Sequence, residues 1–233
     1  MENIIEIKNI CGKKSAASIK HFYRETSYYL TWILIRLHLT ANQVSALGLL
    51  FGLFASTLFI SNNNILFIAA SLFLFLSELV DYSDGEVARY RKYKGLPDEL
   101  LRIHGGFFDS LNHIAMPLFL LCISISFIYI SPYVIIIGFM SAMLNIYDAG
   151  LYGWLNSFLK LFKQPTVKEK KLYGILLNIR AKTYNTHVIP FMLLIAIGID
   201  IIFNTNILFY LWLYYAFIGL VFFCFKLIRR CNK

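Results

Sequence analysis

The sequence predicts an all-α integral membrane protein with six transmembrane helices, preceded by an amphipathic interfacial helix, and with both termini cytoplasmic. Three observations predict it. The 233 residues are 58% hydrophobic and only 15% charged. Six apolar stretches each reach the roughly 20 residues that a bilayer crossing requires. All 22 Lys and Arg residues fall on one side of the resulting pattern.

Residues 1–14 carry Glu2, Glu6, Lys8, Lys13 and Lys14 without an apolar core, so no cleavable signal peptide is expected there. Between about 15 and 38, Lys20, Arg24 and Arg36 alternate with Phe22, Tyr28, Tyr29, Trp32, Ile33 and Leu37, which suits a helix lying in the membrane interface. Spans are expected near 41–60, 65–88, 105–130, 132–155, 184–203 and 207–227. The turns at Ser61 to Asn64, Ser131-Pro132 and Asn204 to Asn206 hold no Lys or Arg, which assigns them to the far side and the acid-bearing ends of spans two and three to the cytoplasm.

The net charge of +9 is therefore a cytoplasmic collar, explained by topology and attraction to anionic headgroups. A nucleic-acid partner would need a soluble basic domain, which this pattern lacks. Cys11, Cys122, Cys224 and Cys231 are scattered without a C-x-x-C pair, so neither a disulfide framework nor a zinc knuckle is expected. The expected organisation is a tail and interfacial helix over 1–38, then one membrane domain over 39–233. The Lys-rich connection from Lys160 to Lys182 is read as a loop or interfacial helix within it.

The chemistry concentrates in Asp81-x-x-Asp84-Gly85-x-x-Ala88-Arg89 and Gly105-x-x-x-Asp109-x-x-x-His113. At helical spacing Asp81, Asp84, Gly85 and Ala88 share a stripe of span two, and Asp109 and His113 share one of span three. Counted inward at about 1.5 Å per residue from a common boundary near Ala88 and Gly105, Asp84 and Asp109 reach one depth, and Asp81 and His113 meet about one turn deeper. Three carboxylates and an imidazole converging in low dielectric repel and protonate unless a cation neutralises them. Oxygen ligands favour Mg²⁺ or Mn²⁺, and a pair of ions suits phosphoryl chemistry. Gly85 and Ala88 either leave a groove for a ligand or serve close helix packing.

Asp81 to Arg89 resembles the first half of the CDP-alcohol phosphotransferase signature, D-x-x-D-G-x-x-A-R, and Gly105-x-x-x-Asp109 continues it. Leu39 to Gly48 is similar to the segment in which that family enters its first span. This chain carries His113 where the family has its fourth aspartate, and its Arg89-to-Gly105 gap is longer than the family's.

The resemblance implies transfer of a phosphate-linked group from a CDP-alcohol, such as CDP-diacylglycerol, to an acceptor alcohol with release of CMP, in phospholipid or related phosphodiester synthesis. It implies two metal ions held by Asp81, Asp84 and Asp109, and His113 as the base for the acceptor hydroxyl. Gly85 and Ala88 would make room for cytidine, Arg89 would meet phosphate, Asn42 would contact the donor nucleotide, and Arg180 would receive an acceptor phosphate. A homodimer is a further family expectation.

The bland readings are a lipid-headgroup contact for Arg89, an ordinary helix-start residue for Asn42, and a surface cation for Arg180. Glu78 is either a partner of the metal site or an acid hydrogen-bonded within the bundle, and Asp148 is expected to pair with a cation of the following loop. Two other functions compete. One is a catalytically impaired relative that binds nucleotide or lipid; the other is a cation transporter, against which stands the lack of outer-half acids apart from Asp200.

Overall fold

The computed structural model describes residues 4–12, 18–96, 111, 117–146 and 187–231. Among them every regular element is helical: α1 (Ile4–Cys11), α2 (Ser18–Arg36), α3 (Ala41–Leu58), α4 (Asn64–Tyr93), α5 (Leu118–Ser126), α6 (Tyr133–Ile146), α7 (Ile189–Phe203) and α8 (Ile207–Cys231). Two of these, α3 and α4, are long and apolar enough to cross a membrane; α6, α7 and the first part of α8 are shorter apolar helices. Only 39% of the apolar window in each long helix is buried inside the protein. The rest faces outward through side chains such as Leu50, Phe54 and Leu72, a distribution suited to lipid contact rather than to the core helix of a soluble domain.

Of the expected spans, the first two coincide with α3 and α4, and the last two begin and end close to α7 and α8. The third is described only as α5, and the fourth only as far as Ile146 in α6. At 30 residues α4 is about 45 Å long, which exceeds the roughly 30 Å apolar slab. It continues past the expected end at residue 88, carrying Arg89, Arg91 and Lys92 in a helical last stretch. Basic residues there complement the negative end of the helix dipole.

Local chemistry sets the ends of the α3–α4 hairpin. Thr40 caps α3 in a capping box: Gln43 N donates to Thr40 Oγ1 at 3.3 Å and Thr40 N donates to Gln43 Oε1 at 2.9 Å. The Asn63 side chain caps α4 by accepting from Ile65 N at 2.8 Å. Between them, Gly48 and Gly52 remove bulk from α3 at helical spacing. Ser77 Oγ consequently donates to the Gly48 carbonyl at 2.8 Å, and a Cβ at Gly52 would stand 3.2 Å from Ser77 Oγ. This is the close backbone approach that small-xxx-small pairs allow.

The apolar core joins α3, α4, α5, α7 and α8 around Phe59, Leu74, Leu120, Leu193 and Trp212. Trp212 Nε1 donates to the Leu120 carbonyl at 2.9 Å, satisfying its buried indole. Asn204 takes the left-handed conformation after α7 (φ 49°), a position that asparagine tolerates. Asp200 then caps α8, accepting from Ile207 N at 2.7 Å and Leu208 N at 2.9 Å. The acid expected in the outer half is thus an N-terminal cap, favourably placed on the helix dipole.

The α5–α6 contact depends on Gly138, where a Cβ would collide with Ser124 Oγ and stand 3.0 Å from the Leu120 carbonyl. Because one obstacle is backbone, relief requires the helices to separate. Gly138→Ala is expected to lower stability by about 1–3 kcal/mol, read as a fall in thermal unfolding midpoint in detergent.

At the other end, α1 and α2 lie against α4. Buried Ile7, Cys11, Tyr28 and Leu34 form a second apolar cluster with Val44, Val80, Val87 and Tyr90. Where an interfacial helix is expected over 15–38, the chain forms the helix α2; the N-terminal helix α1 is not among the expected elements. On α2 the side facing outward carries Ile19, Phe22, Tyr29 and Ile33, and Arg36 lies over the Trp32 ring at 3.8 Å.

Candidate functional site

The acids of α4 are sorted by their neighbours. Asp84 faces α3, where Ser45 Oγ donates to Asp84 Oδ2 at 2.6 Å. Asp81 lies three residues earlier, so the two carboxylates share one side of the helix as expected. Antiparallel pairing of Ser45 with Asp84 sets Asn42, in the first turn of α3, level with Val87 and Ala88. The hairpin therefore brings Asn42, Asp81, Asp84, Gly85 and Ala88 to one end of the α3–α4 pair. Asp109, His113 and Arg180 lie outside the described residues, as do Asn112 and Asp148.

The buried polar atoms without a hydrogen-bond partner among the described residues include Asn42 Oδ1 and Arg89 Nε at this end. Buried polar groups normally find partners, so such atoms mark a place where one is supplied from elsewhere. Among the described residues, a Cβ at Gly85 would meet only Arg89 Nη1, at 3.3 Å, the far end of a flexible side chain that lies over the backbone there.

Ser45 was not among the residues selected from the sequence. A serine inside an apolar helix also donates locally, here to the Ala41 carbonyl at 3.1 Å, and carries no signal of its own. Its tie to Asp84 fixes the carboxylate's orientation, and partners of this kind typically contribute about 10–100-fold in metal affinity or activity. Ser45→Ala is accordingly expected to reduce Mn²⁺ affinity by about tenfold, measurable by titration of the purified protein.

Glu86 is a second omission. It is 2% exposed, and its carboxylate accepts from Ser27 Oγ at 2.8 Å and Thr31 Oγ1 at 2.7 Å, both on α2. Ser83 lies on the same side, with its hydroxyl bonded to the Leu79 carbonyl at 3.1 Å. This face docks α2.

A third polar group faces α7. Glu78 Oε2 lies 2.6 Å from His187 Nδ1, and His187 Nε2 lies 3.0 Å from the Tyr82 hydroxyl. Tyr23 stacks on Tyr82 with ring centroids 5.7 Å apart, and the Arg24 guanidinium lies over Tyr82 at 6.0 Å. Glu78 is thus hydrogen-bonded within the bundle, and its relation to the metal site involves residues outside those described. Its partner His187 stands just before α7.

The donor set fits half of a divalent metal site. Asp81 and Asp84 offer hard oxygen ligands one turn apart, and Ser45 orients one of them. Among the described residues no group of three or more His, Cys, Asp or Glu side chains gathers to hold an ion. The remaining expected ligand, Asp109, is outside those residues. No family model matches the chain, and no curated protein matches it.

Proposed function

We propose that this chain is a metal-dependent CDP-alcohol phosphotransferase of the membrane, transferring a phosphate-linked group from a CDP-alcohol to an acceptor alcohol and releasing CMP. The observation that carries the reading is the Asp81–Asp84 pair, with Ser45 on Asp84, beside Gly85 and the Asn42 Oδ1 and Arg89 Nε atoms, which have no hydrogen-bond partner among the described residues. It is supported by the signature-like order of residues from Asp81 to Asp109. Asp81, Asp84 and Asp109 would hold one or two Mg²⁺ or Mn²⁺ ions, whose charge would neutralise the donor diphosphate and the departing CMP.

The residues of the chain divide the remaining work. Gly85 and Ala88 make space for the cytidine ring, while Asn42 Oδ1, an acceptor, meets a donor group of the nucleotide. Arg89 binds phosphate as a charge-assisted donor, and Arg180 receives an anionic acceptor. His113 removes the proton from the acceptor hydroxyl, being basic enough near neutral pH to do so. The oxygen then forms its bond to the donor phosphorus that carries the non-cytidine group, and the bond from that phosphorus to CMP breaks.

In this reading the protein has six spans with both termini and the acids on the cytoplasmic side, and membrane lipids and a homodimer partner are its neighbours. The test is CMP release by purified protein in detergent with Mn²⁺ or Mg²⁺, varying CDP-alcohol and acceptor independently. Release with at least one pair supports the proposal; none with any pair rejects it.

A further inference from the structure

We propose that α1 is a detachable strap whose seated position fixes Arg89 at the acid-bearing end of α4; the phosphate-binding role of Arg89 rests on the function proposed above. An isolated eight-residue helix is unstable in water, so α1 is helical because it is seated. Its seat is made by Ile7 and Cys11, four residues apart on one face and 0% and 1% exposed, packed into the cluster that holds Val87 and Tyr90.

Two ion pairs flank that face: Lys94 with Glu6 at 2.7 Å and Lys8 with Glu25 at 2.5 Å. Both are exposed, so each contributes little and weakens with salt. The apolar face is therefore the seat, and the ion pairs set its register.

The strap reaches the site through Cys11. Its thiol donates to the Glu86 carbonyl at 3.3 Å. Burial pushes the thiol up to about 11, opposed by the adjacent Arg89 guanidinium. Arg89 meanwhile folds back along its own helix, with Nη1 3.3 Å from the point a Gly85 Cβ would occupy. Arg89 follows Glu86 by three residues on the same helix, so the bond from Cys11 to the Glu86 carbonyl seats α1 one turn from Arg89, whose Nη1 lies beside Gly85. Withdrawal of α1 removes that support.

The seated strap keeps Cys11 covered and protonated, which gives a direct readout. In a variant with Cys122, Cys224 and Cys231 replaced by serine, maleimide labelling of Cys11 at mildly alkaline pH is expected to be slow. Ile7→Ala should speed it by about thirtyfold or more, since truncating a buried isoleucine removes much of the seat. High salt should speed it by a few-fold at most.

The positioning role is read separately by CDP-alcohol binding. Ile7→Ala is expected to weaken binding severalfold, and to add nothing on an Arg89→Ala background, as coupled positions do. Labelling as fast in the native protein as in denaturant, or unchanged by Ile7→Ala, overturns the strap. A binding penalty from Ile7→Ala that persists without Arg89 overturns the positioning. A native protein that binds no CDP-alcohol rejects the functional reading and Arg89's role with it, while the labelling arm still judges the strap.

Discussion

Asp84→Ala is expected to abolish CMP release while leaving the protein folded. The carboxylate supplies ligand charge at the proposed metal site, and water filling the vacated position would supply neither that charge nor its fixed geometry. The loss should reach at least about 10³-fold in turnover, comparable to removing a preorganised electrostatic contact from a transition state. The structural cost is smaller. Ser45 loses its 2.6 Å acceptor but can turn its one proton to the Ala41 carbonyl 3.1 Å away, so losing this contact should cost about 1 kcal/mol. Turnover and thermal midpoint measured on the same preparation separate the two effects. A variant that retains substantial CMP release contradicts the role given to Asp84.

The largest effect on stability is expected at Glu86. Its carboxylate receives hydroxyls from two residues of α2, and truncation removes both bonds from a site that is 2% exposed. The two donors are not equivalent. Ser27 keeps an alternative acceptor in the Arg24 carbonyl at 3.0 Å, whereas Thr31 is left with a buried hydroxyl and a cavity. Glu86→Ala should cost about 2–4 kcal/mol, and Glu86→Gln, which keeps one acceptor oxygen, less than half of that. Thermal unfolding in detergent checks both, and equal midpoints for native and Glu86→Ala proteins would contradict the anchoring of α2 through this residue.

Much of the helical frame was legible because its causes are local. Thr40 and Asn63 stand where helix starts need side-chain acceptors, and the turn residues from Ser61 to Asn63 separate two long apolar runs. The sharing of one side by Asp81 and Asp84 follows from helical spacing alone. The hidden parts depend on partners far away in sequence. Glu86 looked like one of several charges near a helix end, and its partners Ser27 and Thr31 lie 59 and 55 residues away. Glu78 finds His187 across 109 residues.

The short helix α1 was missed for a related reason. Its four isoleucines, Asn9 and Cys11 give weak helical preference, and docking of Ile7 and Cys11 stabilises it. The serine that orients Asp84 carried no pattern at all, because hydroxyls in apolar helices usually bond their own backbone. Tertiary contact, rather than composition, gave these residues their roles. The pairing expected across spans two and three, from Asp84 to Asp109 and from Asp81 to His113, involves partners outside the described residues.

The most direct test of the central claim is Mn²⁺ binding to the purified protein, followed by electron paramagnetic resonance, in the native chain and in Asp81→Ala, Asp84→Ala and Asp109→Ala. The account predicts bound Mn²⁺ in the native protein whose signal is lost or greatly weakened in each of the three variants. Native protein without bound Mn²⁺, or binding that survives all three substitutions, would contradict a shared cation site built from the carboxylates of these two segments.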